Sequence, residues 1–131
     1  MKKHKLTKLF LSAVTLVGAL AIPFTQHVSA QEATGEPVVL GVNLELTGPA
    51  APYSVPAVEA FELYIEQKNM EGGVLEGRPL ELVVLDNKTD TTEGVSLQTR
   101  LANDENVVAV LGPNASGVVN AVKPVIEDSS K

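Results

Sequence analysis

The sequence contains no cysteine and no tryptophan, and its two histidines, His4 and His27, both fall within the first thirty residues. Without cysteine there is no disulfide framework, no thiol nucleophile and no thiol to carry a lipid anchor behind an export signal. Without histidine in the body of the chain there is no imidazole for general-base catalysis or zinc ligation. No nucleophile is paired with a base, so the reading is of a protein that is not an enzyme and uses no cofactor or metal. Positive charge is scarce as well. The 131 residues hold 10 lysines and arginines against 16 aspartates and glutamates, and Lys2, Lys3, Lys5 and Lys8 account for four of the ten. The remainder has 6 basic and 16 acidic residues, a net of −10. A surface of that sign repels phosphate backbones, so no nucleic acid is expected as a partner, and the acid excess serves solubility.

Long apolar stretches are absent but for Leu9 to Ile22. That run follows the four lysines, is closed by Pro23, and precedes the small residues Val28-Ser29-Ala30, the pattern of a cleavable signal peptide over residues 1–30. It is too short for a comfortable membrane span, and nothing later is long enough, so no membrane span is expected after signal cleavage and the product is periplasmic or secreted. Residues 31–37 are polar, contain Gly35 and Pro37, and read as a flexible leader.

Apolar and amphipathic stretches then alternate. Val38 to Leu44 is suited to a central strand. Leu46 to Ser54 is a loop with two prolines and a glycine, with Ser54 as the expected cap of a helix running from Val55 to about Met70. Along that helix Val58, Phe61, Leu63, Tyr64 and Ile65 alternate with Glu59, Glu62, Glu66 and Lys68. Gly72 and Gly73 stop it, Leu80 to Asp86 is a second strand, and Asn87 to Asp90 is a polar loop. Thr92 to Asn103 reads as a helix capped by Thr91 or Thr92, burying Val95, Leu97, Leu101 and Ala102. Val107 to Leu111 is a third strand. The alternation implies parallel strands joined by crossover helices, an open α/β sheet. Three strands leave one edge and much of one face uncovered where the sequence reaches Lys131, so residues 38–131 read as part of a larger lobe.

Chemistry concentrates after the third strand, in Gly112-Pro113-Asn114-Ala115-Ser116-Gly117. Gly112 and Pro113 turn the chain, and Ser116 or Asn114 can cap a helix with apolar positions Val118, Val119, Val122, Val125 and Ile126. In open parallel sheets ligands bind at the carboxyl ends of strands, and a helix start offers unpaired N–H groups and a positive dipole end, so an anion would sit well here. The loop is not a phosphate-binding P-loop, since no lysine lies between Lys88 and Lys123. Ser116 as a cap that binds nothing is the competing reading.

With those elements placed, Val39 to about Ile126 resembles the amino-terminal part of the type I periplasmic binding proteins, in the branched-chain amino-acid (leucine/isoleucine/valine) binding branch that serves ABC importers. The resemblance is carried by Leu40-Gly41-Val42, Leu46-Thr47-Gly48-Pro49, Tyr53 and the helix through Phe61. It continues in Asn69, Gly72-Gly73-Val74 and Gly77, in Leu82-Val83-Val84-Leu85-Asp86 with Asp90, and in Val108-Ala109-Val110-Leu111-Gly112-Pro113 with Ser116.

The resemblance implies a two-lobed, Venus-flytrap protein that binds a small-molecule ligand without chemistry and passes it to an ABC transporter permease. It implies that a ligand carboxylate is held by Ser116, that an ammonium is partly held by the main-chain carbonyl of Asn114, and that Tyr53 covers the ligand. Asp86 and Asp90 match an acidic pair of the family, though two carboxylates beyond a strand end more often serve as turn and cap residues. The sequence departs from the pattern at Ser54, where a glycine is usual, at Thr91, where a proline is usual, and at Gly117, where a second hydroxyl often follows the serine. These changes also suit a relative that binds another small amide or acid. The same fold serves ligand-sensing extracellular domains of receptors and regulators, the alternative reading. An exported enzyme on a flavodoxin-like sheet is a third, opposed by the missing histidine and cysteine.

Overall fold

The computed structural model describes residues 32–130. The proposed signal peptide over residues 1–30 lies outside them. Strands and helices alternate in the order β1 (Val38–Leu44), α1 (Ala51–Met70), β2 (Leu80–Asp86), α2 (Thr91–Asn103), β3 (Val107–Leu111), α3 (Ser116–Asp128). The three strands form one parallel sheet in the order β2-β1-β3, with β1 at its centre. This is the open α/β arrangement expected from the alternation, and the strand bounds coincide with the apolar runs. Pairing of β1 with β2 is unbroken from Val38↔Leu80 to Leu44↔Asp86, whereas the β1–β3 register shifts between Val39 and Leu40.

Alternation along β1 divides the core in two. On one face Val42 and Leu44 pack with Val58 of α1, joined by Leu46, Phe61, Leu82, Val84 and Leu111. On the other, Gly41 leaves room for the Leu101 side chain of α2, whose methyl carbons would lie 2.9 and 3.1 Å from a Cβ at that position. Leu101, Val107, Val118 and Val122 are all within 1% of full burial there. Among the described residues no helix is long and apolar enough to cross a membrane.

The helix starts and faces differ from expectation. α1 begins at Ala51, with Ala50 as its N-cap and Pro52 in its first turn, so Ser54 is not a cap but a buried residue of the helix itself. Its inward stripe is Val58, Phe61 and Ile65, whereas Leu63 and Tyr64 are 57% and 56% exposed, because a helix brings positions three, four and seven apart to one side. α2 is capped by neither threonine; the Asp90 carboxylate accepts from the Glu93 N–H at 2.8 Å. Its fully buried stripe is Gly94, Gln98 and Leu101 rather than Val95 and Leu97, which are half-buried.

Residues 32–37, expected as a flexible leader, contain no helix or strand. They are tied to the α1–β2 connection: the Thr34 and Gly35 N–H groups donate to the Gly77 carbonyl, and Arg78 donates to the carbonyls of Glu36 and Pro37 at 2.7 and 3.0 Å.

Candidate functional site

Strand order 2-1-3 sends the connections out of β1 and β3 to opposite faces of the sheet, so a crevice opens between their carboxyl ends. One side chain dominates the floor of that crevice. Glu45, the residue after β1, is fully buried, and both of its carboxylate oxygens are engaged. Oε2 accepts the Ser54 hydroxyl at 2.8 Å and the Asn114 N–H at 3.3 Å. Oε1 accepts the Ala115 N–H at 3.1 Å and Asn87 Nδ2 at 3.3 Å. Burial pushes this carboxyl up, but the Ser54, Ala115 and Asn87 hydrogen bonds outweigh it and hold Glu45 below its ordinary value. It is therefore a buried carboxylate at neutral pH, with its desolvation offset by four donors.

The network continues inward. Asn87 Nδ2 also donates to Asn43 Oδ1 at 3.1 Å, and Asn43 Nδ2 reaches the Gly94 carbonyl at 3.0 Å and Gln98 Oε1 at 3.1 Å. No buried side-chain polar atom among the described residues lacks a partner. A second carboxylate fastens the rim: Asp86 Oδ1 accepts the N–H groups of Leu46, Thr47 and Lys88, and Oδ2 accepts the Thr47 hydroxyl at 2.7 Å. Burial raises its pKa, and the Thr47, Lys88 and Leu46 bonds more than reverse that, leaving it lowered. Lys88 and Thr89 both take left-handed backbone angles, φ 59° and 62°, so that the β2–α2 turn passes close under Gly48. Asp86 and Asp90 are thus a loop clamp and a helix cap.

The three expected contact residues lie around this floor. Ser116 is the first residue of α3 and is exposed; Asn114 is exposed just ahead of it; Tyr53 is 75% exposed in the first turn of α1. Ser54 and the Asn114 N–H meet on the same oxygen of Glu45, which draws the start of α1 and the start of α3 to one end of the sheet. Neither Ser116 nor Asn114 caps α3. Ala115 is its N-cap, with no side-chain cap bond. The first-turn N–H groups at Ser116 and Gly117 therefore have no side-chain partner among the described residues, and a Cβ built at Gly117 would meet nothing within 4 Å. The anion expected at this helix start is partly internal: Glu45 takes the N–H groups just before the helix and leaves those of its first turn open.

Glu45, Asn43, Asn87 and Gln98 are not among the site residues that the sequence alone suggests. The signal was a carboxylate between Leu44 and Leu46 and an amide between Val42 and Leu44, polar groups in a run otherwise fit for burial, which demand partners. Among the described residues no group of three or more His, Asp or Glu side chains is placed to hold a metal ion.

Comparison with known proteins agrees with this architecture. A family model described as periplasmic binding protein matches residues 37–131. The chemotactic signal transduction system substrate-binding protein BasB of Halobacterium salinarum is 33% identical over 90 residues, 67% of this chain and 22% of that protein. Among solved structures, the branched-chain amino acid transporter substrate-binding protein LivJ of Streptococcus pneumoniae, in complex with isoleucine, is 31% identical with a TM-score of 0.66, over 71% of this chain and 26% of that one. A fatty acid ABC transporter substrate-binding protein from Thermomonospora curvata is 36% identical with a TM-score of 0.65, over 75% and 25%. The chain spans about a quarter of the length of these relatives, and the sheet described above corresponds to their amino-terminal lobe. The relatives are substrate-binding proteins, not enzymes. With a matched family model over most of its length and the fold of the amino-terminal lobe, the chain belongs to the type I periplasmic binding proteins, in the leucine/isoleucine/valine-binding family.

Proposed function

We propose that this chain belongs to the extracytoplasmic solute-binding component of an ABC importer, exported through the cleavable signal at residues 1–30 and delivering its solute to a permease. The solute is a branched-chain amino acid or a similar small polar molecule. The observation that carries the reading is the open first turn of α3 at the carboxyl end of β3, with the Ser116 hydroxyl beside unpaired N–H groups. A ligand carboxylate accepts from Ser116 and the first-turn amides. The Asn114 carbonyl takes the ammonium, and Tyr53 covers the ligand. Further contacts come from the part of the relatives that this chain does not span.

The test is calorimetry on the full gene product with isoleucine, leucine and valine. Ser116→Ala should weaken binding about tenfold or more, equivalent to ~1.4 kcal/mol or more, with unchanged thermal melting. Failure of the parent to bind any of the three, or an unaltered affinity in Ser116→Ala, would overturn the assignment. A ligand-sensing role is the second reading, supported by the similarity to a chemotactic signal transduction protein. It predicts binding of the same kind of solute but capture of a signalling partner instead of a permease.

A further inference from the structure

We propose that Glu45 is a positioning residue for the ligand loop: its buried carboxylate, by accepting the N–H groups of Asn114 and Ala115, sets where the open first turn of α3 faces. The inference rests on the reading of that turn as the ligand site. Four segments meet on this one side chain: the end of β1 that bears it, Ser54 in α1, Asn87 after β2, and Asn114-Ala115 before α3. No other side chain bonds the main chain of residues 112–117, so Glu45 is the polar tie between the β3–α3 loop and the sheet among the described residues.

The geometry asks for a carboxylate. Each oxygen receives one loop N–H and one side-chain donor, so both must be acceptors. A glutamine of the same shape turns one acceptor into an NH2 group, which would face two donors, and the loop amide on that side would lose its partner. The carboxylate is itself held from behind: Asn87 is oriented by Asn43, and Asn43 by Gln98 and the Gly94 carbonyl of α2. Such a fully satisfied polar chain specifies one arrangement of the loops it joins. Glu45 has no exposed surface, so it acts on a ligand through the loop and not by contact.

The test combines amide hydrogen exchange on the ligand-free full gene product with isoleucine calorimetry. In Glu45→Gln, exchange at Asn114 and Ala115 should quicken about tenfold or more while Val42 and Leu111, in the sheet, keep their parent rates. Isoleucine affinity should fall about tenfold or more. Unchanged exchange at the two loop amides, or equal acceleration at Val42 and Leu111, would overturn the positioning role and leave Glu45 a general stabiliser. Loop exchange that quickens with affinity intact would overturn it as well. Should Glu45→Gln fail to fold, Glu45→Asp, which keeps the charge but is one methylene shorter and draws the carboxylate back from the loop amides, answers the same question: selective acceleration at Asn114 and Ala115 supports the role, and a parent-like or uniform pattern refutes it. A parent protein that binds none of isoleucine, leucine and valine refutes the proposed function, while the exchange measurements still decide the role of Glu45.

Discussion

Gly94 allows a sharp test of how α2 and α3 are held together beneath the site. A methyl group there would overlap Val118 Cγ1 of α3. In an exposed helix interior, glycine to alanine stabilises by ~0.5–1 kcal/mol, because alanine has less backbone freedom to lose. Here both residues are buried, Val118 at 1% exposure, and a helical valine has essentially one side-chain rotamer, so it cannot swing aside. Overpacking of this kind costs about 1–3 kcal/mol. Gly94→Ala should therefore destabilise by about 1–2 kcal/mol net, the overlap outweighing the propensity gain. Val118→Ala removes two buried methyl groups, about 1.6 kcal/mol at ~0.8 each, with a further cost for the cavity. In the double variant the new methyl enters the space the valine vacates, so its loss should fall short of the sum by about 1–3 kcal/mol. Urea denaturation of the four proteins, compared at a common slope, gives the coupling. A Gly94→Ala protein as stable as its parent, or a double variant additive within ~0.5 kcal/mol, would refute the packing argument.

Two further outcomes follow from the rim of the site. Asp86 has a folded pKa below its unfolded value, so its contribution to stability is complete above about pH 4 and drains away as pH falls through the folded value. Asp86→Asn should cost about 1–2 kcal/mol at neutral pH and flatten that part of the acid limb, and stability curves of parent and variant that stay parallel from pH 7 to 3 would contradict this. Tyr53→Ala should leave stability within ~0.5 kcal/mol, since the ring is largely in water, while lowering isoleucine affinity severalfold; an affinity equal to the parent's would remove Tyr53 from the site.

The strands were legible in the sequence because each is a short apolar run between turn residues, a pattern that survives any detail of packing. The helix starts were less so. Ser54, Thr91 and Thr92 have the chemistry of caps, but α1 begins early because Ala51 and Pro52 suit a first turn, and the Asp90 side chain takes the Glu93 N–H and so caps α2 ahead of both threonines. The polar floor was the least legible part. Apart from Ser54, nine residues beyond Glu45, the partners of Asn43 and Glu45 lie 42 to 70 residues away in sequence, and a polar residue in an apolar run reveals that it needs partners without revealing which. The glycine, glutamine and leucine stripe of α2 escaped for the same reason: Gly94 and Gln98 are buried by what they meet, not by their own apolarity.

The direction of β1 separates two jobs along one axis. Its seven residues span ~23 Å, from Val38, beside the segment pinned by Arg78, to Leu44 and the mouth where Ser116 and Tyr53 stand. A molecule fixed to a sensor surface through residues ahead of Glu32 would thus be held at the amino end of β1, with the mouth pointing into solution. Under load, the bonds of the Thr34 and Gly35 N–H groups to the Gly77 carbonyl, and then those from Arg78 to the Glu36 and Pro37 carbonyls, would bear the pull before the ladder of the sheet, shielding the binding end from the tether.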